Sequence, residues 1–328
     1  MPEPGPTLLP GSPFARVLLP LDYAPSLDYR PRWGHTRPSH PGLVDLFQRD
    51  RAGYGEVIAG LRDLGPWLRA IPTRFVWERA PEPGWLGPPI NALDLALLYY
   101  FVASRRPATY LEIGSGATTC FARRAASDHG LATRIVSIDP QPRAAIDSAC
   151  DEVFRCGLES VDPGLFDRLR PGDVVFMDGS HRSFANSDVT VFMIEVLPRL
   201  KPGVLVHLHD IFLPDDYPAS FLSRYWNEQY LLAVYLLAAR DRVRILMPSY
   251  YVSTHPDLRK SLLPPVVELP ERPEVVLDGG SLWFTHAPAE GKKGTGTICR
   301  NGPEAGTDAQ RWSSHKGCLS PFSPAEGP

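Results

Sequence analysis

The strongest constraint on the fold is a regular alternation of short apolar stretches with segments of helical periodicity between residues 90 and 286. Strands that alternate with helices form a parallel sheet that has helices on both faces. The stretches are apolar almost throughout, as expected of parallel strands buried on both sides. The sequence therefore predicts an α/β fold with a doubly wound, mostly parallel, Rossmann-like sheet of seven strands.

The individual elements follow from the same pattern of apolar residues. Strands are expected at 109–113, 134–139, 153–155, 173–178, 204–208, 243–246 and 281–284. Helices are expected at 92–104, 118–128, 142–150, 163–169, 184–199 and 219–240. Residues 90–286 thus form the main predicted domain.

The segments on either side of this domain differ from it in composition. Residues 1–42 contain ten prolines, which fit neither helix interiors nor central strands, so an extended or disordered arm is expected. Residues 43–89 carry apolar side chains at helical spacing and predict an N-terminal helical extension. Residues 287–328 are rich in Gly, Lys, Ser and Pro, which predicts a disordered tail.

Charge, hydropathy and cysteine content bear on partners and location. The formal net charge of −3 gives no basic field, so nucleic acid is not an expected partner. The longest apolar run, residues 230–239, is about half the length of a bilayer span, so no membrane association is expected. The five cysteines show no metal-ligand spacing and are expected to be reduced thiols of a cytoplasmic protein. A homo-oligomer is compatible with this composition.

The turn after the first strand of the domain is rich in glycine. Gly114 and Gly116 lie between a buried strand and a helix, where glycine permits a tight turn and the close approach of a ligand. A dinucleotide fingerprint would need a third glycine, but Thr119 occupies that position. Glu112 precedes the turn, and Asp139 ends the next strand, where a carboxylate can bind ribose hydroxyls. The combination indicates a cofactor that contains a ribose.

The sequence Glu112-Ile113-Gly114-Ser115-Gly116, followed by Asp139, resembles the first motifs of class I S-adenosylmethionine-dependent methyltransferases. The resemblance implies S-adenosylmethionine as the cofactor. It implies that Glu112 positions the methionine end and that Asp139 binds the ribose. The residues that it places around the cofactor are Glu112, Gly114, Ser115, Gly116, Thr118, Asp139, Gly157 (beside the adenine) and Asp178.

Acids and histidines follow two further strands of the predicted sheet. Asp178 and His181 follow one strand, and His209 and Asp210 end the next. The carboxyl ends of parallel strands meet at one edge, so these side chains should converge beside the glycine turn. Two mechanisms are open. A divalent cation could lower the pKa of an acceptor hydroxyl, or His181 or His209 could act as a general base.

A second resemblance, to the catechol-type O-methyltransferases, implies that Asp178, His209 and Asp210 are metal ligands. The cation would be Mg²⁺ or a similar ion. Histidine stands here where that family usually has a carboxylate, and because Mg²⁺ prefers oxygen, a softer ion would also fit. The strand endings Asp-Gly-Ser-His and His-Asp-Ile also resemble those of bacterial methyltransferase domains, over residues 90–286.

The expected function is therefore methyl transfer from S-adenosylmethionine to a small-molecule acceptor, at a hydroxyl oxygen. His181, His209 and Asp210 are the expected catalytic residues. An NAD-type oxidoreductase is the alternative, disfavoured by the absent third glycine, and a non-catalytic S-adenosylmethionine-binding module is another, disfavoured by the polar strand ends. His207 is interpreted as ordinary core packing. The aromatic residues of the predicted helix 219–240 could stack on an aromatic or sugar acceptor, and packing of the helix on the sheet is the favoured interpretation.

Overall fold

The structure is a computed structural model that describes residues 7–8, 17–18, 30–142, 145–262 and 275–287. Most of the predicted N-terminal arm and the predicted tail beyond residue 287 lie outside the described residues. The statements below apply to the described ranges.

The regular elements are nine strands and nine α-helices within the described residues. The strands are β1 (Thr7–Leu8), β2 (Val17–Leu18), β3 (Thr109–Ile113), β4 (Arg134–Ile138), β5 (Glu152–Phe154), β6 (Val174–Met177), β7 (Leu205–His209), β8 (Val243–Pro248) and β9 (Ser281–His286). The α-helices are α1 (Pro41–Arg49), α2 (Arg51–Asp63), α3 (Gly65–Arg69), α4 (Ala92–Arg105), α5 (Ala117–Asp128), α6 (Asp188–Val191), α7 (Glu228–Ala238), α8 (Ser249–Thr254) and α9 (Pro256–Leu262).

The main sheet has seven strands in the order β5-β4-β3-β6-β7-β9-β8. All neighbours are parallel except that β9 runs antiparallel to both β7 and β8. The expected Rossmann-like, mostly parallel sheet is confirmed. Its order differs from that of a classic dinucleotide-binding sheet, which lacks the reversed strand. The strand order changes direction between β3 and β6, and such a switch point is where open α/β sheets bind ligands.

A stack of aromatic rings packs the centre of the sheet. The His207 ring lies between the rings of Phe176, at 4.5 Å, and Trp283, at 4.0 Å between centroids, and Trp283 stacks in turn on Phe101 of α4. Burial holds the pKa of His207 well below its ordinary value, so the ring is neutral. His207 is a packing residue, as its position in the strand suggested.

Several predicted helices are shorter than expected. Of the predicted helix 142–150, the described residues (142 and 145–150) include the 3₁₀ turn Asp147–Ala149, where Arg155 pairs with the Asp147 carboxylate. The predicted helix 163–169 is the 3₁₀ helix Pro163–Arg168. The predicted helix 184–199 begins only at α6, then widens into a π turn at Phe192–Val196 and ends as a 3₁₀ turn that contains Pro198, which lacks an N–H.

The predicted helix 219–240 is divided. Its first part is the 3₁₀ segment Ala219–Arg224, and Tyr225 then adopts a positive φ of 52°, which ends the helical path. The link from Tyr225 to Asn227 turns the chain before α7 begins at Glu228. This break places Trp226 at the edge of the sheet. In an unbroken helix the same residue would lie elsewhere, on the surface of that helix.

The last part of the predicted arm lies on the domain. The backbone N–H groups of Arg32 and Trp33 donate to one oxygen of the Asp216 carboxylate, at 2.5 and 3.1 Å. His35 Nε2 lies 2.9 Å from the Asp216 carbonyl oxygen, and the His40 N–H donates to the Pro214 carbonyl at 3.0 Å. Residues 30–40 are therefore ordered. The helices α1 to α3 follow, where the sequence predicts a helical extension.

The cysteines and the helices bear on two expectations from the sequence. Cys120 and Cys150 are free thiols, whereas Cys156 is disulfide-bonded, so the expectation that every cysteine is reduced is wrong. Among the described residues, no helix combines the length and the apolar character needed to cross a bilayer.

Asp94 is expected to be a major contributor to stability. Its fully buried carboxylate accepts hydrogen bonds from the hydroxyls of Ser249 and Ser281 and from the Gly280 N–H, and it thereby joins α4 to α8 and β9. Asp94→Ala removes an acceptor from these buried donors and should lower the free energy of unfolding by about 3 kcal/mol in chemical denaturation. The exposed Asp257→Ala is the control and should change stability by less than about 0.5 kcal/mol. Equal effects of the two variants would contradict this account.

Candidate active site

A cleft of about 880 Å³ opens at the carboxyl ends of the parallel strands, beside the switch point between β3 and β6. On one side it is lined by the glycine turn and by residues that follow β4 and β5. On the other it is lined by residues that follow β6 and β7. The predicted site residues among its lining are Gly114, Ser115, Gly116, Thr118, Asp139, Gly157, Asp178, His181 and Asp210. Glu112 and His209 do not line it.

The two glycines of the turn have different structural roles. Gly114 has φ +82°, and a Cβ there would lie 1.9 Å from the carbonyl oxygen of Asp178, so only glycine fits against the neighbouring loop. A Cβ on Gly116 would meet no atom within 4 Å. Gly116 is also the residue that precedes α5, where backbone N–H groups lack partners inside the helix. The open space next to Gly116 is therefore suited to a ligand.

Glu112 lies beneath the turn and has no access to the cleft. It is fully buried, and its carboxylate accepts hydrogen bonds from the hydroxyls of Tyr110, Thr118 and Thr119. The Thr119 hydroxyl in turn accepts from the Gly116 N–H at 3.0 Å. The expectation that Glu112 contacts the cofactor needs correction, because the acid instead supports the turn from below.

Asp139 stands at the end of β4, as the sequence indicated. One of its carboxylate oxygens accepts from the Ser115 N–H and the other from the Gln141 N–H, each at 2.7 Å. A carboxylate oxygen has two lone pairs, so each oxygen can still accept another hydrogen bond. Asp139 therefore both fixes the glycine turn and keeps acceptor capacity toward the cleft.

Asp178, His181 and Asp210 form a cluster that faces the cleft, and we call it the acid–histidine cluster. His181 Nε2 lies 3.3 Å from Asp178 Oδ1 and 3.4 Å from Asp210 Oδ2. One candidate ligand atom from each of the three residues lies within 4.8 Å of the others. Carboxylate oxygens and an imidazole nitrogen at such separations can hold a divalent cation.

Glu228, the first residue of α7, fixes the histidine of this cluster from behind. Its fully buried carboxylate lies 2.8 Å from His181 Nδ1. The N–H groups of Asn227 and Glu228 donate to the His181 carbonyl oxygen at 3.0 and 3.3 Å, which supports the positive φ of 59° at His181. The Trp226 ring packs on the imidazole with 4.1 Å between centroids. Nε2 is thereby held toward the two aspartates.

His209 occupies a different place from the one predicted. It is buried behind the cluster, where Nδ1 lies 3.5 Å from Asp178 Oδ1 and from Asp210 Oδ2, and Nε2 lies 3.9 Å from Asp94 Oδ2. The residues grouped at the cleft are therefore Asp178, His181 and Asp210, with His181 in the place that the predicted metal set of Asp178, His209 and Asp210 gave to His209. The side chain of His209 follows the pleat of β7 into the interior, and the alternation of side chains along a strand explains why.

Comparison with known proteins identifies the domain that contains this cleft. A family model described as a methyltransferase domain matches residues 111–211, from the end of β3 to just after β7. The chain contains a methyltransferase domain. The matched segment holds the glycine turn, Asp139 and the whole acid–histidine cluster, and it confirms the family that the sequence motifs resemble.

Solved structures of similar proteins include several methyltransferases. One is an O-methyltransferase from Bacillus cereus in complex with SAH, with 17% identity over 64% of this chain and 84% of that chain and a TM-score of 0.34. Another is a putative methyltransferase from Thermobifida fusca, with 15% identity over 76% and 84% and a TM-score of 0.34. A putative O-methyltransferase from Klebsiella pneumoniae has 13% identity over 63% and 82% and a TM-score of 0.31.

The methyltransferase assignment rests on the domain match over residues 111–211. No curated protein matches the sequence significantly.

The two histidines near the cleft of the methyltransferase domain lie next to carboxylates, which stabilise the protonated imidazoles. Burial would lower the pKa of His181, but hydrogen bonds and charges of Asp178 and Glu228 outweigh it and raise the pKa to about 10. Burial would likewise lower the pKa of His209, but Asp210 and Asp178 raise it to about 9. Burial opposes ionisation of Asp178, yet the two histidines hold its pKa well below the ordinary value. Both imidazoles are therefore protonated at neutral pH.

Sequence reasoning missed three residues that shape the methyltransferase site. Glu228 fixes His181, and Arg182 and Arg224 line the cleft. Glu228 had one sequence signal, since it is the only charged residue in a largely apolar helix. Trp226, for which packing was the favoured interpretation, packs on His181 and also lines the cleft. The arginines carried no signal, because their placement depends on the path of the loop after β6 and on the break at Tyr225.

Glu112 should make the stability of the methyltransferase domain depend on pH. Burial, partly offset by hydrogen bonds from Thr119, Tyr110 and Thr118, raises its pKa from 4.5 to about 7. The folded state then binds this proton more tightly than the unfolded state. The free energy of unfolding should therefore fall as pH rises from 4.5 to 7, by about 3 kcal/mol from this group.

The test compares wild type with Glu112→Gln by chemical denaturation across that pH range. Glutamine does not titrate, so the difference in unfolding free energy between the two proteins should change steadily over the range and level off above pH 7. A difference that is independent of pH would show that Glu112 titrates normally.

Proposed function

We propose that this chain transfers a methyl group from S-adenosylmethionine to a hydroxyl oxygen of a small-molecule acceptor. The observation that carries the proposal is that one cleft is shared by the glycine turn with Asp139 and by the acid–histidine cluster. The first group suits a cofactor with a ribose, and the second suits the activation of a hydroxyl. The methyltransferase domain supports the transfer itself.

The residues of the glycine side fit S-adenosylmethionine. A Cβ on Gly116 would have no protein atom within 4 Å, and the N–H groups at the start of α5 are close to this open space. Asp139 keeps lone pairs that can accept from ribose hydroxyls. Gly157 and Leu158 border the cleft after β5, on the side expected for the adenine. The cofactor supplies a methyl group bonded to a positively charged sulfur.

The reaction proposed is an in-line displacement. The acceptor oxygen forms a bond to the methyl carbon while the carbon–sulfur bond breaks, and the electron pair of that bond neutralises the charge on sulfur. The hydroxyl proton is released to solvent water at the open side of the cleft as the oxygen–carbon bond forms. The chain contributes mainly by holding the acceptor oxygen, methyl carbon and sulfur in line, which accounts for a large part of the rate in such reactions.

Asp178, His181 and Asp210 also fit a divalent cation. Glu228 accepts the Nδ1 proton of His181, and this arrangement of a carboxylate behind a ligating imidazole is typical of metal sites. A bound cation would lower the pKa of the acceptor hydroxyl. A set that mixes oxygen and nitrogen suits ions such as Mn²⁺ or Zn²⁺ better than Mg²⁺.

The alternative without a metal relies on His181 as general base, because His209 does not reach the cleft. His181 would first have to lose a proton that Asp178 and Glu228 hold, and its raised pKa of about 10 opposes this at neutral pH. We favour metal assistance over a bare histidine, because a bound cation would displace the Nε2 proton of His181 and its charge would be balanced by Asp178 and Asp210.

Calorimetric titration tests the cofactor. SAH, the product of the transfer, and S-adenosylmethionine should bind, and NAD should not. Gly116→Val places methyl groups in the open space of the cleft and should weaken SAH binding by about ten-fold or more. Gly53→Val is a matched control, since a Cβ on Gly53 also meets nothing within 4 Å and the residue lies in α2. Binding of NAD in place of SAH would overturn the proposal.

Titration with Mn²⁺, followed by electron paramagnetic resonance, tests the metal. Asp210→Asn and His181→Ala should each weaken Mn²⁺ binding by about ten-fold or more, because each removes a ligand. His209→Gln should retain binding, since that ring lies behind the cluster. If His209→Gln abolishes binding and His181→Ala does not, the set expected from sequence is the correct one. If wild type does not bind Mn²⁺, metal assistance by this ion is excluded.

A further inference from the structure

Two guanidinium groups line the cleft on the side of the acid–histidine cluster. Arg182 follows the cluster in the loop after β6, and Arg224 ends the 3₁₀ segment before α7. Arg182 is fixed by backbone contacts, because its Nε donates to the Arg224 carbonyl at 2.8 Å and its Nη1 to the Ser180 carbonyl at 3.1 Å. Neutral carbonyl groups hold the side chain in place, and the charge of Asp188 offsets its positive charge only in part.

No carboxylate of the described residues forms an ion pair with either arginine. The nearby acid is Asp188, and its oxygens accept from the Ser180 N–H at 2.7 Å and from the Ser180 hydroxyl at 2.5 Å. Burial, and next the charge of Arg224, lower the pKa of Arg182. The positive charges of Arg182 and Arg224 are thus close together at the edge of the cleft. Their repulsion is unfavourable unless an anion binds to both.

Aromatic rings connect these charges to the acid–histidine cluster. Arg224 Cζ lies 4.7 Å from the centroid of the Phe221 ring and 4.6 Å from that of Trp226. Trp226 also packs on His181, with 4.1 Å between ring centroids. The indole therefore contacts both the His181 imidazole and the Arg224 guanidinium, so the acid–histidine cluster and the arginines border the same part of the cleft. A flat molecule that lies along the edge of the indole that lines the cleft can present one end to each.

We propose that the methyl acceptor is a planar hydroxylated ring that carries an anionic group, a carboxylate or a phosphate, bound by Arg182 and Arg224. The ring lies along Trp226, and its hydroxyl reaches the acid–histidine cluster. Guanidinium groups bind the paired oxygens of carboxylates and phosphates with matching geometry. The inference rests on the proposed methyl transfer, since it names the acceptor of that reaction.

The test measures binding to the SAH-loaded protein by calorimetry, with three aromatic probes. 3,4-Dihydroxybenzoate carries the carboxylate, 3,4-dihydroxybenzamide is its neutral counterpart, and phenyl phosphate carries the other anion. At least one anionic probe should bind about ten-fold or more tightly than the amide. Phenyl phosphate carries no ring hydroxyl, so it tests the anion site alone.

Arg224→Met and Arg182→Met should remove the preference for the anionic probe and leave SAH affinity within about two-fold of wild type. Methionine keeps apolar contact with the rings, so packing is largely preserved. Arg199→Met is the matched control, because Arg199 is a half-exposed arginine that pairs with Asp167 away from the cleft. This variant should keep both the preference and the SAH affinity.

Each other outcome has a definite meaning. If SAH itself does not bind to wild type, the proposed function fails. If SAH binds but the anionic probes bind no better than the amide, or none binds, only the inference about the acceptor is overturned. If the arginine variants lose SAH affinity and keep the ratio of the affinities for the anionic and neutral probes, the arginines bind the carboxylate of the cofactor. That result also overturns the inference about the acceptor.

Discussion

The site depends on the contact between the loops that follow β3 and β6. The Asp178 N–H donates to the Ile113 carbonyl at 2.9 Å, and Gly114 lies so close to the Asp178 carbonyl that a side chain would not fit. Backbone groups at the end of two neighbouring strands thereby fix the glycine turn beside the first acid of the acid–histidine cluster. The cofactor side and the acceptor side of the cleft are thus held in register by main-chain atoms, which side-chain substitution elsewhere does not easily disturb.

The acceptor side depends on a second constraint, the packing of α7 against the loop after β6. Glu228 and the first N–H groups of α7 bind both the ring and the carbonyl of His181, and Trp226 covers the ring. A strained backbone at His181 persists because these contacts outweigh its cost. The orientation of the imidazole is therefore set from outside the matched domain segment, by a helix that the family model does not cover.

The sequence was sufficient for the sheet because each parallel strand is a short apolar run, and the strand bounds differ from the predicted ones by few residues. The sequence also placed Gly114, Asp139, Asp178 and Asp210 at the cleft, since strand ends converge in any open α/β sheet. It failed for His209, because whether the last residue of a strand faces the cleft or the interior depends on the pleat. It failed for Glu228 and Arg224, because their positions depend on the positive φ at Tyr225, which no propensity indicates. It failed for Arg182 because the carbonyls of Arg224, which is distant in the chain, and of Ser180, which lies in an irregular loop, set the direction of its side chain.

The ordered segment before α1 has a consequence for where this domain starts. Boundaries taken from composition would place it at residue 43 or 90, yet the Asp216 carboxylate accepts from the backbone of Arg32 and Trp33. A chain shortened to either point would lose both of these donors from a carboxylate that lies a few residues after Asp210. The smallest unit that preserves the loop after β7 therefore includes residues 30–40, although their sequence is that of a linker.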